Sequence, residues 1–159
     1  MKGYLANGLF SRADEMFNSY ICSIIKQEFK TFELFLPQES GVNDKSTYAD
    51  SIMIAESDTK NLLDADILIA VIDGAEIDAG VATEIGIFST TGKPIIGVFT
   101  DIRQQGRDND EKIQALIKDG TENQFMYRNL FTVGVIKKNG CIVSDIQGLV
   151  EELRKLGVN

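Results

Sequence analysis

Four side chains in this sequence have the types and spacing for acid–base or nucleophilic work: Tyr4, Asp58, Asp78 and Glu84. The chain has no histidine, which excludes histidine-based triads, and no metal site is expected. Proton transfer and covalent catalysis must then fall mainly to carboxylates, tyrosine or lysine. Glu84 stands out by its neighbours, with Ala79-Gly80-Val81-Ala82-Thr83 before it and Ile85-Gly86-Ile87 after it. Charged side chains are rarely buried without a partner. This glutamate therefore lies on the outer surface of a helix, pairs with a lysine, or is held for chemistry. Asp78 and Glu84 are six positions apart, about 600° of helical rotation or roughly 240° net, so their carboxylates converge only if Asp78 still belongs to the loop. The structural alternatives are plain: Asp78 as an N-cap, Asp58 as a solvent-facing helix residue, Tyr4 as a core aromatic whose hydroxyl reaches the surface.

The elements that must position these residues centre on 62–98. Asp66-Ile67-Leu68-Ile69-Ala70-Val71-Ile72 lacks polar alternation and is rich in β-branched residues, the pattern of a strand buried on both faces. Asp73 to Asp78 breaks it as a turn, a helix is expected from about Ala79 to Thr91, and Gly92-Lys93-Pro94 ends that helix before a second buried strand, Pro94 to Phe99. This is a β-α-β unit with parallel strands and a right-handed crossover. Ligands of such sheets lie beyond the carboxyl ends of the strands, where Asp78 and Glu84 fall. Upstream, Lys2–Ala6 reads as a first strand and Ser11 as the cap of a helix with Phe17, Ile21, Ile24 or Ile25, and Phe29 on one face. Phe32–Leu36 reads as a second strand, Gln38–Ser46 as a covering loop, and Thr47–Leu63 as a helix carrying Asp58. Downstream, Asp101–Asp110 reads as a solvated, mobile loop and Ile113–Ile117 as a short helix. Phe125–Phe131 is an aromatic segment that packs on the core or meets another subunit. Phe131–Ile136 with Cys141–Val143 reads as a last strand or hairpin around Asn139-Gly140, and a final helix follows Asp145. The fold expected is α/β: a flavodoxin-like three-layer sandwich with a mainly parallel sheet of about five strands, residues 1–159 forming a single domain.

Composition narrows the function. With 24 acidic and 16 basic residues the net charge is −8 over 159 residues, a surface that repels phosphate backbones, so no nucleic-acid partner is expected. No apolar run approaches the ~18 residues of a membrane span and no export signal is visible. The two cysteines, Cys22 and Cys141, form no metal spacing or disulfide framework, which suits a reducing cytoplasm. The loop Asn7-Gly8-Leu9-Phe10 lacks the G-x-G-x-x-G of dinucleotide binding, and no P-loop occurs. No cofactor is expected.

Together these residues resemble the nucleoside 2-deoxyribosyltransferase family. Tyr4-Leu5-Ala6-Asn7-Gly8-Leu9-Phe10 is similar to its strand-one motif, and Asp58, eight positions before Asp66, to its aspartate ahead of the central strand. Asp78-Ala79-Gly80-Val81-Ala82-Thr83-Glu84-Ile85-Gly86 resembles the D-x-G-x-x-x-E-[LI]-G signature, and Gly92-Lys93-Pro94 the turn after it. The resemblance runs from Lys2 to about Ile136 and weakens after Thr100. It implies that Glu84 attacks the anomeric carbon of a 2'-deoxynucleoside, that Tyr4 orients its carboxylate, and that Asp58 holds or protonates the leaving base. Asp78 would take the sugar 5'-hydroxyl, and Asn129 would be lent by a neighbouring chain of a homo-oligomer with shared active sites. Gln38, Gly8 and Phe10 would lie against the substrate. The partners implied are 2'-deoxynucleosides and free nucleobases.

A related branch hydrolyses 2'-deoxynucleoside 5'-monophosphates, with a serine at Asp78's position and a Gly/Arg/Ser-rich first loop. An aspartate facing a phosphate is costly, so Asp78 favours a free 5'-hydroxyl, while Arg12 keeps the N-glycosidase alternative open. The third reading is a non-enzymatic flavodoxin-like binding domain. Receiver domains need an acidic cluster where this chain has Tyr4-Leu5-Ala6-Asn7, and a flavin site wants a Ser/Thr-rich loop there.

Overall fold

The computed structural model describes residues 1–43, 46, 48–122 (Glu122 by its backbone alone) and 128–159. Its order is β1 (Lys2–Ala6), α1 (Arg12–Glu28), β2 (Glu33–Phe35), α2 (Ser51–Asp64), β3 (Ile67–Val71), α3 (Ala79–Ser89), β4 (Ile95–Val98), α4 (Asp110–Lys118), α5 (Leu130–Asn139), β5 (Gly140–Val143) and α6 (Ile146–Lys155). The sheet runs β2-β1-β3-β4-β5 with every neighbouring pair parallel. This is the flavodoxin-like order, whose switch point lies between β1 and β3. Tyr4 of β1 stands there, in register with Leu68 of β3.

Strand residues alternate between two cores, as a pleat with period two requires. Leu5, Ile67, Ile69, Val71, Ile96 and Val98 pack with α1 and α6, through Ile21, Ile25, Leu149 and Leu153. Tyr4, Ala6, Leu68, Ala70, Ile72 and Ile95 pack on the other side with α2, α3 and α5, through Leu62, Val81, Ile85, Phe88 and Ile136. Both faces are covered, which accounts for the unbroken apolar runs at β3 and β4. Each α-helix begins with a side chain that accepts an amide of its first turn: Ser11, Asp50, Asp78, Asn109, Asn129 and Asp145. Caps of this kind contribute about 0.5–2 kcal/mol each.

The structure corrects the expected last strand or hairpin. Residues 130–139 are the helix α5, and β5 pairs parallel to β4. The run Phe131-Thr132-Val133-Gly134-Val135-Ile136 favours strands by composition, but it packs a helix face on α3 and on the sheet, with Ile136 wholly buried. Gly140 is not a hairpin turn. Its φ of 171° is extended, and a Cβ there would stand 2.0 Å from the Ile95 carbonyl oxygen, so glycine lets β5 approach β4. α2 begins only after Asp50, and α4 is longer than expected. The 37–43 loop contains two short 3-10 turns. In the polar 101–110 run a 3-10 turn at Ile102–Gln104 is braced by Arg103 on Asp101 and by the Lys112 ammonium donating to the Gln105 carbonyl. Thr47 and Phe125, Met126 and Tyr127 of the aromatic segment lie outside the described residues.

Candidate active site

The pleat of β1 sends Tyr4 to the α2/α3 side of the sheet, where its ring stacks on Phe35 at 5.3 Å and its side chain is wholly buried. Its hydroxyl donates to Glu84 Oε1 at 2.5 Å. Glu84 is set by α3, whose Val81, Ile85 and Phe88 fasten that helix to the core. The third member comes from α2: Asp58 is half-buried, and its Oδ1 is shut away from solvent without a hydrogen-bond partner. A buried, unmatched carboxylate oxygen costs stability and is accounted for by a ligand or a proton.

Burial above all, helped by the charges of Asp58 and Asp78, raises the Glu84 carboxyl to about 7 against the Tyr4 hydroxyl, which pulls it down. Burial and the adjacent Glu84 raise the Tyr4 hydroxyl well above the tyrosine range, so it stays a donor. Burial also raises Asp58, so it holds a proton more readily than an exposed aspartate. The group pairs a carboxylate little solvated by water with a fixed donor and a second carboxyl able to carry a proton. Such a set can form and break a covalent ester at an electrophilic carbon.

Asp78 sits at the mouth of this group. It has a non-helical backbone (φ −53°, ψ 136°) and caps α3, its Oδ1 accepting from the amides of Gly80 at 2.8 Å and Val81 at 3.1 Å. It is thus an N-cap whose charge also reaches the Glu84 carboxyl. Tyr4, Asp58, Asp78 and Glu84 come together; the remaining candidates stand apart. Gln38 takes a hydrogen bond from Asn18 Nδ2 at 2.9 Å and donates to Ser19 Oγ at 3.2 Å. Gly8 accepts from Asn18 through its carbonyl oxygen, and a Cβ there would meet the Asp14 carboxyl at 3.2 Å. Phe10 is 81% exposed at the end of the same loop. Asn129 caps α5 by accepting from the Thr132 amide at 3.1 Å. It borders a depression of about 470 Å³ with Ala75, Glu76, Ile77, Ala82, Arg128 and Thr132. Among the described residues no hydrogen bond joins it to Tyr4, Asp58 or Glu84.

Sequence reasoning missed three supports. Asp73, at the end of β3, accepts from the Thr100 amide at 2.7 Å and the Thr100 hydroxyl at 2.6 Å, locking the loops after β3 and β4 together. Arg128 lies over the Phe99 ring at 4.6 Å and donates to the Ala75 carbonyl at 3.2 Å, in the loop that leads to Asp78. Asn18 is a buried amide one position from Phe17 and three from Ile21, a polar residue inside an apolar helix face, and that misfit was its signal. Among the described residues, no three His, Cys, Asp or Glu side chains gather as a metal site, and no helix is long and apolar enough to cross a membrane.

A family model described as nucleoside 2-deoxyribosyltransferase matches residues 4–147, a span holding all four clustered side chains. The chain belongs to the nucleoside 2-deoxyribosyltransferase family. Members of this family act on nucleosides. Among solved structures, a conserved protein from Enterococcus faecalis V583 is 49% identical, with 98% of each chain covered and a TM-score of 0.89. A 2-deoxyribosyltransferase from Bacillus psychrosaccharolyticus shares the fold at 18% identity, with 94% of this chain and 90% of that one covered and a TM-score of 0.64. A 2-desoxiribosyltransferase from Leishmania mexicana is 20% identical over 63% of this chain and 65% of its own, with a TM-score of 0.51. A search of the curated proteins gives no match.

Proposed function

We propose that this protein moves 2-deoxyribose between nucleobases by double displacement on Glu84. The observation that carries the reading is the 2.5 Å hydrogen bond from Tyr4 to a Glu84 carboxyl whose burial brings its pKa to about 7. A carboxylate poised there ionises at neutral pH yet stays weakly solvated, which suits a nucleophile. Glu84 attacks the anomeric carbon as the bond to the base breaks. The electron pair of that bond goes to the base nitrogen, which takes a proton from Asp58. The deoxyribosyl ester on Glu84 is then attacked by the nitrogen of a second base, whose proton returns to Asp58, and Glu84 leaves as a carboxylate. Two inversions give net retention. No 2'-hydroxyl is present to destabilise the cation-like transition state.

Asp78 favours a neutral 5'-hydroxyl over a phosphate: Glu84 and Asp78 put like charges beside any 5'-monophosphate. Arg12, the cation nearest the first loop in sequence, donates to Glu15 one helical turn on and is 87% exposed. Asn129 has no hydrogen bond to the Glu84 pair of its own chain, and Leu130 and Phe131 beside it are each 83% exposed. This supports a homo-oligomer in which Asn129 completes a neighbour's site. The deciding experiment incubates the protein with deoxyinosine, with and without adenine, and separately with deoxyguanosine monophosphate, followed by chromatography. Deoxyadenosine in the adenine tube is the result expected. Guanine released from the monophosphate, with no transfer to adenine, overturns the reading in favour of an N-glycosidase.

A further inference from the structure

The loop after β1 and the turn after β2 are both tied to one buried side chain. Asn18, on α1, is 4% exposed. Its Oδ1 accepts from Asn7 Nδ2 at 2.8 Å, and its Nδ2 donates to the Gly8 carbonyl oxygen at 3.0 Å and to Gln38 Oε1 at 2.9 Å. Gln38 in turn donates to Ser19 Oγ at 3.2 Å and contacts the Glu15 carbonyl at 3.5 Å, so it is held against α1 from both ends of its amide. The strands feeding these two segments are neighbours, Tyr4 pairing with Phe35, and Tyr4 is the residue that grips Glu84. One amide thus sets where the chain goes after Tyr4 and where it goes after Phe35. These two stretches carry Gly8, Phe10 and Gln38 and leave the carboxyl ends of β1 and β2, the end of the sheet where ligands of this fold lie. A capping or solubility role accounts for none of this: a side chain that only filled the core beside Ile21 would be apolar.

We infer that Asn18 is a positioning residue for the substrate-facing wall on the β1 side of the site, fixing the 7–10 loop and the 37–39 turn at the ends of β1 and β2. The inference rests on the deoxyribosyl-transfer reading. Asn18 touches neither the base nor the reacting carbon, and it does not reach the Tyr4–Glu84 pair. Its removal therefore loosens the hold on substrate without changing the nucleophile, and the loss appears in KM.

The test is steady-state kinetics of the full-length protein with deoxyinosine and adenine, for the parent, Asn18→Ala, Asn7→Ala, Gln38→Ala and the Asn18→Ala/Gln38→Ala double variant. For Asn18→Ala the expected result is a KM for deoxyinosine higher by on the order of tenfold, a kcat within about threefold, and an unchanged pH dependence of kcat/KM. Asn7→Ala, which cuts one of the three bonds, gives a smaller rise in the same direction and serves as the reading if Asn18→Ala does not fold. The double variant falls short of the sum of the two single losses, because Asn18 and Gln38 act through one hydrogen-bonded network. A folded Asn18→Ala or Asn7→Ala with unchanged KM and only a lowered melting temperature overturns the inference, leaving Asn18 a stability residue. So does a fall in kcat with a moved pH limb, which would place its action on Glu84. A parent that turns over no deoxynucleoside removes the transferase reading itself, and the inference with it.

Discussion

Replacing Glu84 by glutamine removes a charge that folding forces out of water. The carboxyl rises from its usual 4.5 to about 7 in the folded chain, through burial first and then the charges of Asp58 and Asp78. Between those values the folded protein keeps a proton that the unfolded chain has released. The free energy of unfolding therefore falls as the pH climbs through that window and is level above it. At about 1.4 kcal/mol per pKa unit, ionised Glu84 costs the folded state about 3 kcal/mol at alkaline pH. Glu84→Gln keeps the shape and can still accept the Tyr4 hydroxyl through its amide oxygen, but it is neutral throughout. It should be more stable than the parent by about 3 kcal/mol near pH 8, which is roughly 6–12 °C in melting temperature for a chain of this size, while turning over no substrate. Near pH 4 both carry a neutral side chain and the gain should vanish. Thermal and urea unfolding followed by far-ultraviolet circular dichroism, at one fixed protein concentration so that assembly does not intrude, measure this directly. A variant no more stable than the parent at pH 8, or a gain that persists unchanged at pH 4, would refute the claim that Glu84 is held desolvated.

The same electrostatics order the kinetics. In the parent, kcat/KM should rise tenfold per pH unit and level off near pH 7, where Glu84 ionises. Tyr4→Phe deletes the donor that pulls Glu84 down. Its pH limb should move to higher pH, with kcat lower by about ten- to a hundredfold, and a limb that stays put would separate Tyr4 from the nucleophile. Asp58→Asn deletes a charge that pushes Glu84 up. Its limb should move to lower pH although turnover falls by about a hundredfold or more for want of the proton donor; stopped assays across pH 5–9 distinguish the two variants by direction alone. Lys93, remote from the site, donates to the carbonyls of Leu63 at 3.0 Å and Ala65 at 2.6 Å where α2 ends. Lys93→Met should cost about 1–2 kcal/mol in urea unfolding and leave the pH limb where it was.

The parts of this protein legible in its sequence are those where local pattern and tertiary role agree. β3 and β4 are buried on both faces, so they read as unbroken apolar runs. Glu84 was conspicuous because a run of small and apolar residues seldom holds a carboxylate without a use for it, and Tyr4 and Asp58 surround that carboxylate in space. α5 was illegible for the opposite reason: Val133, Val135 and Ile136 favour a strand locally, and only packing on α3 and β4 makes them helical. The cap at Asn129 and the lysines Lys137 and Lys138 in the last turn were the helix signals present, but Asn139-Gly140 reads as a turn until β4 is known to press on Gly140. The network around Asn18 joins residues 7, 18 and 38, and no periodicity within one segment carries such a relation.

Asp78 ends the loop after β3, and Glu84 stands six residues farther along, on a helix whose first turn Asp78 itself ties down. The segment between them therefore works as a gauge. Exchanging one small side chain for another at 79–83 alters what the groove admits but leaves the separation of the two carboxylates as it was. Adding or deleting a single residue there turns Glu84 by about 100° around the helix axis, away from Tyr4 and Asp58 at once. Redesign of that stretch can therefore vary its exposed letters, with Gly80 and the buried Val81 kept, and must hold its length constant.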